Sequence, residues 1–200
     1  MRPRSHAIFQ FTTSNTNTYR TGVELKVFRG KQMIDSGLAE RIIEFDKKNM
    51  QPVFEKAGLE FPEEKRRRGL DSDPTFIIAF DGESIAGYIE YLRSWNDPAY
   101  IYIGSIQIES SHRNTRLILM LFDKFRDLVS REDFLGFETN VQKANEVAVR
   151  MYRKLGFSLE ENPRNAASWV ARAGKELLTE SPIILLLDKW RARSLYPIVF

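Results

Sequence analysis

The spacing of apolar positions changes along this chain, and each change marks an element. Val23 to Phe28 alternates apolar and charged residues, the period of a strand with one face in water. Gly30 ends that strand, and Asp35 or Ser36 offers an N-cap to the helix that follows. There Leu38, Ile42, Ile43 and Phe45 form an apolar stripe between charges. Pro52 interrupts the pattern, so Val53 to Leu59 reads as a short second helix ending near Phe61 and Pro62. Asp71 to Pro74 is turn chemistry. Two strands follow, Thr75–Phe80 and Ile85–Tyr91, joined through Asp81, Gly82 and two further residues in a hairpin signal. A turn at Trp95 to Pro98 leads into Tyr100–Ile108, which completes an antiparallel meander.

The pattern then shifts to helix, strand, helix. Leu117 to Val129 reads as a helix whose first turn is apolar nearly all round, and Phe134 to Val141 as a strand. Asn145 to Leu155 places Val147, Ala148, Met151, Tyr152 and Leu155 on one helical face, with Gly156 as the C′ residue and Phe157 packing back. A strand, helix and strand over Ile101 to Val141 is long enough for a right-handed crossover between parallel strands. The fold class expected is therefore α/β (α+β): a mixed sheet, antiparallel meander first and parallel crossover second, with helices on both faces. Further on, Ser168–Ala171 reads as a strand, Gly174–Leu178 as a helical turn, Ile183–Leu187 as a buried strand, and Tyr196–Phe200 closes the chain. Residues 1–21 are rich in Ser, Thr and Asn and read as a flexible arm, with His6 to Phe11 as a candidate edge strand. Nothing resembling a linker divides residues 22–200, so a single domain is expected.

Composition narrows the chemistry. No apolar run approaches the ~20 residues of a membrane helix, and the first residues lack a secretory h-region, so a cytoplasmic location is expected. Cysteine is absent, which excludes a disulfide framework, a thiolate nucleophile and a Cys-based zinc site. With His6 and His112 the only histidines, no metal site is expected. A net charge of +3 is too small to specify a nucleic-acid partner. The charged run Glu63 to Arg68 reads either as a phosphate contact or as the solvated end of a helix.

The segment from Val141 to Phe157 resembles the last motif of the GNAT superfamily of acyl-CoA-dependent N-acyltransferases. That pattern is an apolar residue, three residues, N-x-x-A, two residues, then Y-x-x-x-G-F. Val141, Asn145, Ala148, Tyr152, Gly156 and Phe157 fill it without a gap. The upstream motif, a strand followed by Q/R-x-x-G-x-G/A at a helix start, is matched in part. Arg113 holds the first position, whereas Arg116 and Ile118 stand where the family has glycine and glycine or alanine. The resemblance spans Val23 to about Phe157 and fits the last stretch loosely.

The resemblance implies acetyl-CoA or another acyl-CoA as cosubstrate, and attack of a primary amine, on a small molecule or a protein, on its thioester. It assigns the carrier to Ile106 and Ile108, to the loop Arg113, Asn114, Thr115, Arg116, Leu117 and Ile118, and to Asn145. Free N–H groups and the dipole at a helix start favour a diphosphate there. Arg116 can offer a forked donor set, while Ile118 adds only bulk, so the loop is either a modified cradle or a lost one. Tyr152 is the family-matched acid for the departing thiolate, and also a candidate core residue. Glu109 and Glu138 are candidate bases, with Glu90 a third; each also reads as a rim or sheet-surface charge, and a water relay can replace any of them. Asn145 most simply caps its helix. His112, beside the loop, reads as incidental.

Two alternatives stay open. One is a GNAT-like module without catalysis, motivated by Arg116 and Ile118. The other is a nucleic-acid binder resting on Lys65–Arg68 and Lys189–Arg193, which match no known motif. The acceptor would be selected by Asp35–Leu70 and the C-terminal third, with Tyr88, Tyr91, Trp95 and Trp169 as candidate cleft aromatics or core. A membrane partner is not expected, and a homodimer is one option for the assembly.

Overall fold

The computed structural model describes residues 22–113 and 116–195, with 190–195 described by backbone alone. The arm 1–21 with its His6–Phe11 strand, and the closing Tyr196–Phe200, lie outside the described residues. Among the described residues, seven strands form one sheet in the order β1-β2-β3-β4-β5-β7-β6. They are β1 (Val23–Arg29), β2 (Thr75–Asp81), β3 (Ser84–Arg93), β4 (Tyr100–Ile108), β5 (Gly136–Gln142), β6 (Ser158–Glu161) and β7 (Ser168–Gly174). The first four pair antiparallel, β4 and β5 pair parallel through a crossover, and β5, β7 and β6 pair antiparallel. This is the expected mixed sheet, extended by β6, a four-residue strand too short and too charged to stand out in the sequence.

Helices cover both faces. On one side α1 (Gly30–Asp35), α2 (Leu38–Lys56) and α3 (Glu63–Leu70) lay Met33, Ile42, Phe45 and Leu70 over Phe76, Ile78 and Tyr88. On the other, α4 (Leu117–Val129), α5 (Glu146–Leu155), α6 (Leu177–Glu180) and α7 (Pro182–Leu195) pack over Ile77, Ile89, Ile101, Phe137 and Ala171. Among the described residues no helix is long and apolar enough to cross a membrane.

Several boundaries differ from expectation. Asp35 and Ser36 end α1 instead of opening α2, whose N-cap is Gly37. Pro52 lies inside α2. Its missing N–H falls on the exposed half of that helix, where water can take the orphaned carbonyl, while Leu38 to Asp46 anchor the other half. Ile183–Leu187 is helical. Pro182 suits the first helical position after Ser181, whose carbonyl accepts from the Ile184 and Leu185 amides. Ile184 and Leu187 are buried while Leu185 and Leu186 are exposed, a helical period hidden inside a continuous apolar run. On α5 the buried residues are Val149, Tyr152 and Leu155, and Val147 is exposed. Three apolar residues in succession there, Val147, Ala148 and Val149, leave the facing side ambiguous.

Candidate active site

The parallel ladder between β4 and β5 is short. Tyr100, Ile101 and Tyr102 pair with Gly136, Phe137 and Glu138, and the ladder stops there. Beyond that point β4 stays with β3 through Ile108, and β5 stays with β7 through Gln142. The two halves of the sheet therefore part into a cleft. A bulge in β4 helps to separate them: Tyr91 pairs with Ile103 and Glu90 with Ser105, leaving Gly104 as the extra residue. A side chain at 104 would press on the Glu90 carboxyl group, the nearest atom standing 3.0 Å from an added Cβ. At the base of the cleft the Thr139 hydroxyl donates to the Ile103 carbonyl at 2.7 Å.

Ile106 and Ile108 continue β4 along the open edge and pack partly against the core. The chain then turns through a 3₁₀ segment, Ser110–His112, and α4 starts at Leu117 with Arg116 as its N-cap residue. Arg113 and Arg116 are exposed, and the Arg113 Nε lies 3.4 Å from the Ile108 carbonyl. Leu117 is buried and Ile118 packs partly against the core, so much of its bulk is turned inward. Asn114 and Thr115 lie outside the described residues. His112 faces Asp81 at 3.3 Å and Ser111 at 3.0 Å.

Tyr152 projects from α5 into the interior, 6% exposed, edge-on to Phe157 with ring centroids 5.1 Å apart. Burial pushes its phenol up to about 12. It is a packed core tyrosine, as one of the two sequence readings expects. Gly156 ends α5 at φ 96°, a left-handed turn that lets Phe157 fold back. Asn145 caps α5, accepting from the Ala148 amide at 3.1 Å.

The candidate bases are all engaged. Glu109 pairs with Lys48 at 3.2 Å; although its partial burial works the other way, Lys48 and Ser110 hold it below the usual carboxylate range. Glu138 is buried on β5, and Arg172 of β7 donates to it at 2.8 and 3.0 Å, with Ser94 at 3.2 Å. Glu90 belongs to a buried network that the sequence did not announce. Arg66 of α3 reaches Asp46 of α2 at 2.5 Å and Glu90 at 2.7 Å, and lies 3.3 Å from the Tyr88 hydroxyl. Tyr88 donates to Asp46, and Gln107 donates to the same carboxylate at 2.8 Å. Burial raises Asp46, with Arg66 opposing, and burial raises Tyr88 well above its ordinary value.

The run at Glu63–Arg68 is thus not simply a solvated end. Arg66 turns inward, while Arg67 pairs with Glu40 and Glu63 on the surface. One signal was present: Asp46 follows Ile42, Ile43 and Phe45 on the buried stripe of α2, where a carboxylate needs a partner. Thr139 likewise alternates in phase with the buried Phe137 and Val141. Of the aromatics, Tyr88 and Tyr91 are core, Trp169 is half-buried under Lys143, and Trp95 is exposed, stacked against Tyr102 with centroids 5.2 Å apart.

The fold recurs among solved structures. The PaiA N-acetyltransferase of Thermoplasma acidophilum in complex with coenzyme A is similar to this chain with TM-score 0.58 and 16% identity, over 76% of this chain and 98% of that one. A GNAT-family acetyltransferase of Staphylococcus aureus gives TM-score 0.57 at 16% identity, over 76% and 99%. An acetyltransferase of Thermus thermophilus gives 0.54 at 16% identity, over 76% and 96%. The sequence has no match among curated proteins. The family model of the GNAT acetyltransferases matches residues 39–157, more than half of the chain and the whole span from α2 to the end of α5. With that match added to the parted strands and the Asn145–Phe157 motif, the chain belongs to the acetyltransferase (GNAT) family.

Proposed function

We propose that residues 22–200 form one N-acyltransferase domain that moves an acetyl or other acyl group from acyl-CoA to a primary amine, in the cytoplasm. The observation that carries this reading is the parting of β4 and β5 beyond Tyr102 and Glu138, with the start of α4 following the open edge of β4. Two exposed guanidinium groups, Arg113 and Arg116, beside the start of α4 suit a diphosphate. The apolar edge at Ile106 and Ile108 suits a pantetheine arm. The inward packing of Ile118 favours a modified cradle over a lost one.

In this reading the amine nitrogen attacks the thioester carbonyl and the C–S bond breaks with its electron pair on sulfur. The Tyr152 phenol, protonated throughout the physiological range because its burial lifts it to about 12, gives the thiolate its proton. Glu90, Glu109 and Glu138 are each held by a cation, so the amine loses its proton to water. The acceptor is then selected by the surfaces beside the cleft, including exposed Trp95.

The test is release of free CoA thiol from acetyl-CoA in the presence of a diamine, a polyamine, an arylalkylamine, an amino acid and a short peptide. Amine-dependent release by at least one of them is expected, together with a rise in melting temperature on adding CoA. Binding of CoA with no turnover across an extended panel would leave the noncatalytic module as the better reading. Absence of both would remove the acyl-transfer reading.

A further inference from the structure

β1 stands at one end of the strand order, so among the described residues its outer edge pairs with no other strand. It pairs with β2 from Val23 to Arg29 without a register shift and contains no proline, so it lacks two of the devices that blunt an exposed edge. Its two faces differ. On the side of α4, Val23 and Leu25 pack partly against the core, and Val27, in phase with them, is 37% exposed. On the other side Glu24 and Lys26 are exposed, 2.9 Å apart as an ion pair, and Phe28 is half-buried.

An antiparallel copy of the same strand fits this edge. With Leu25 set opposite Leu25 of a second copy, Val23 lies opposite Val27 and Glu24 opposite Lys26. Phe28 then lies opposite Gly22, which has no side chain to crowd the ring. A two-fold axis makes each of these pairs occur twice. One face gathers Val23, Leu25 and Val27 from both copies into a continuous apolar patch, and the other carries two Glu24–Lys26 pairs between copies. Centring the pairing on Glu24 or on Lys26 would set like charges face to face, and centring it on Val27 would set Lys26 against Phe28. The Leu25 register alone of these satisfies both faces.

We propose that this protein forms a two-fold homodimer through β1, its two sheets joined edge to edge in that register. The alternating charges give the edge its selectivity. A strand without the complementary pair leaves Glu24 and Lys26 unmatched, whereas the chain's own copy matches both. Main-chain hydrogen bonds across the new ladder add to the apolar burial. β2 and β3 separate β1 from β4, so the cleft of each copy stays open and the dimer does not depend on the acyl-transfer reading.

The experiment is sedimentation velocity on the full chain at low salt, from about 1 to 100 μM, a range that covers weak specific pairing. The wild type is expected to show a monomer–dimer equilibrium that shifts towards dimer with concentration. Glu24→Lys sets lysine against lysine in both cross-copy pairs, and Lys26→Glu sets glutamate against glutamate. Each variant alone should therefore dimerise about tenfold more weakly or worse. Mixed in equal amounts, the two variants oppose lysine to glutamate at both pairs again. The mixture should dimerise nearly as well as the wild type and lose that gain as salt is added. Recovery in the mixture also shows that neither variant failed by misfolding. A wild type that stays monomeric throughout overturns the proposal and returns the edge to another occupant, such as residues 1–21 of the same chain. Dimers formed as readily by both variants put the interface elsewhere and overturn it too, as does a mixture no stronger than its components.

Discussion

Replacing Arg66 by methionine tests the account of the network beneath the cleft. The side chain is 16% exposed and stands between Asp46 and Glu90, whose side chains are 3% and 5% exposed. Methionine fills much of the same volume, so loss of packing is small and loss of charge dominates. Burial works against the Arg66 charge, but Tyr88, Glu90 and Asp46 together hold its proton more firmly than usual. Removing one partner of a buried pair costs about 3–5 kcal/mol, because the other is left as an uncompensated charge. For a chain of this size that corresponds to a melting temperature lower by roughly 6–20 °C.

The cost should also depend on pH. Burial already raises Asp46 above its ordinary value in the folded protein. A carboxylate raised in this way contributes stability that is fully present below its unfolded value and lost as pH rises through the folded one. Without Arg66 that rise is larger, so Arg66→Met should be most destabilised at pH 8 and recover towards pH 5. Urea unfolding at both pH values, followed by circular dichroism, measures this. A loss below about 1 kcal/mol, equal at both pH values, would refute the claim that the guanidinium compensates the buried carboxylates.

Other expectations follow from the site. Tyr152→Phe should lower kcat by about a hundredfold or more while leaving acetyl-CoA binding intact, measured by steady-state kinetics and isothermal titration. Because burial holds that phenol at about 12, no loss of activity from its ionisation should appear between pH 7 and about 10 in the wild-type rate profile. Arg113→Ala with Arg116→Ala should raise the KM for acetyl-CoA about tenfold with kcat little changed, and the effect should shrink at high salt. Asn145→Ala should lower stability by about 1 kcal/mol through loss of the bond to the Ala148 amide, with acetyl-CoA affinity unaltered. A large loss of acetyl-CoA affinity in that variant would instead assign Asn145 to the carrier.

Legibility varied with the range of the interaction. The meander was visible because alternation within each strand and short turns between strands are local properties, seen at Thr75–Phe80 and at the Asp81-Gly82 turn. The motif from Asn145 to Phe157 was visible for the same reason: a cap, a buried face and a left-handed glycine follow one another along a single helix. The C-terminal run Ile183–Leu187 was misread because apolar residues in succession carry no period, and packing against α4 and α5 settled the matter. Arg66 looked like one charge in a surface run, since nothing nearby in sequence marks its reach to Asp46 and Glu90.

The meander strands and the family motif were thus decided by residues within a few positions of one another, where spacing sets conformation. The cleft itself was decided only in three dimensions. Its floor joins Ile103 and Thr139 from two strands, and its flank joins Asp46, Arg66 and Glu90 from two helices and a third strand. A hydroxyl or a carboxylate at a buried position demands a partner, but the partner's identity depends on which distant segment the folded chain brings within hydrogen-bonding reach.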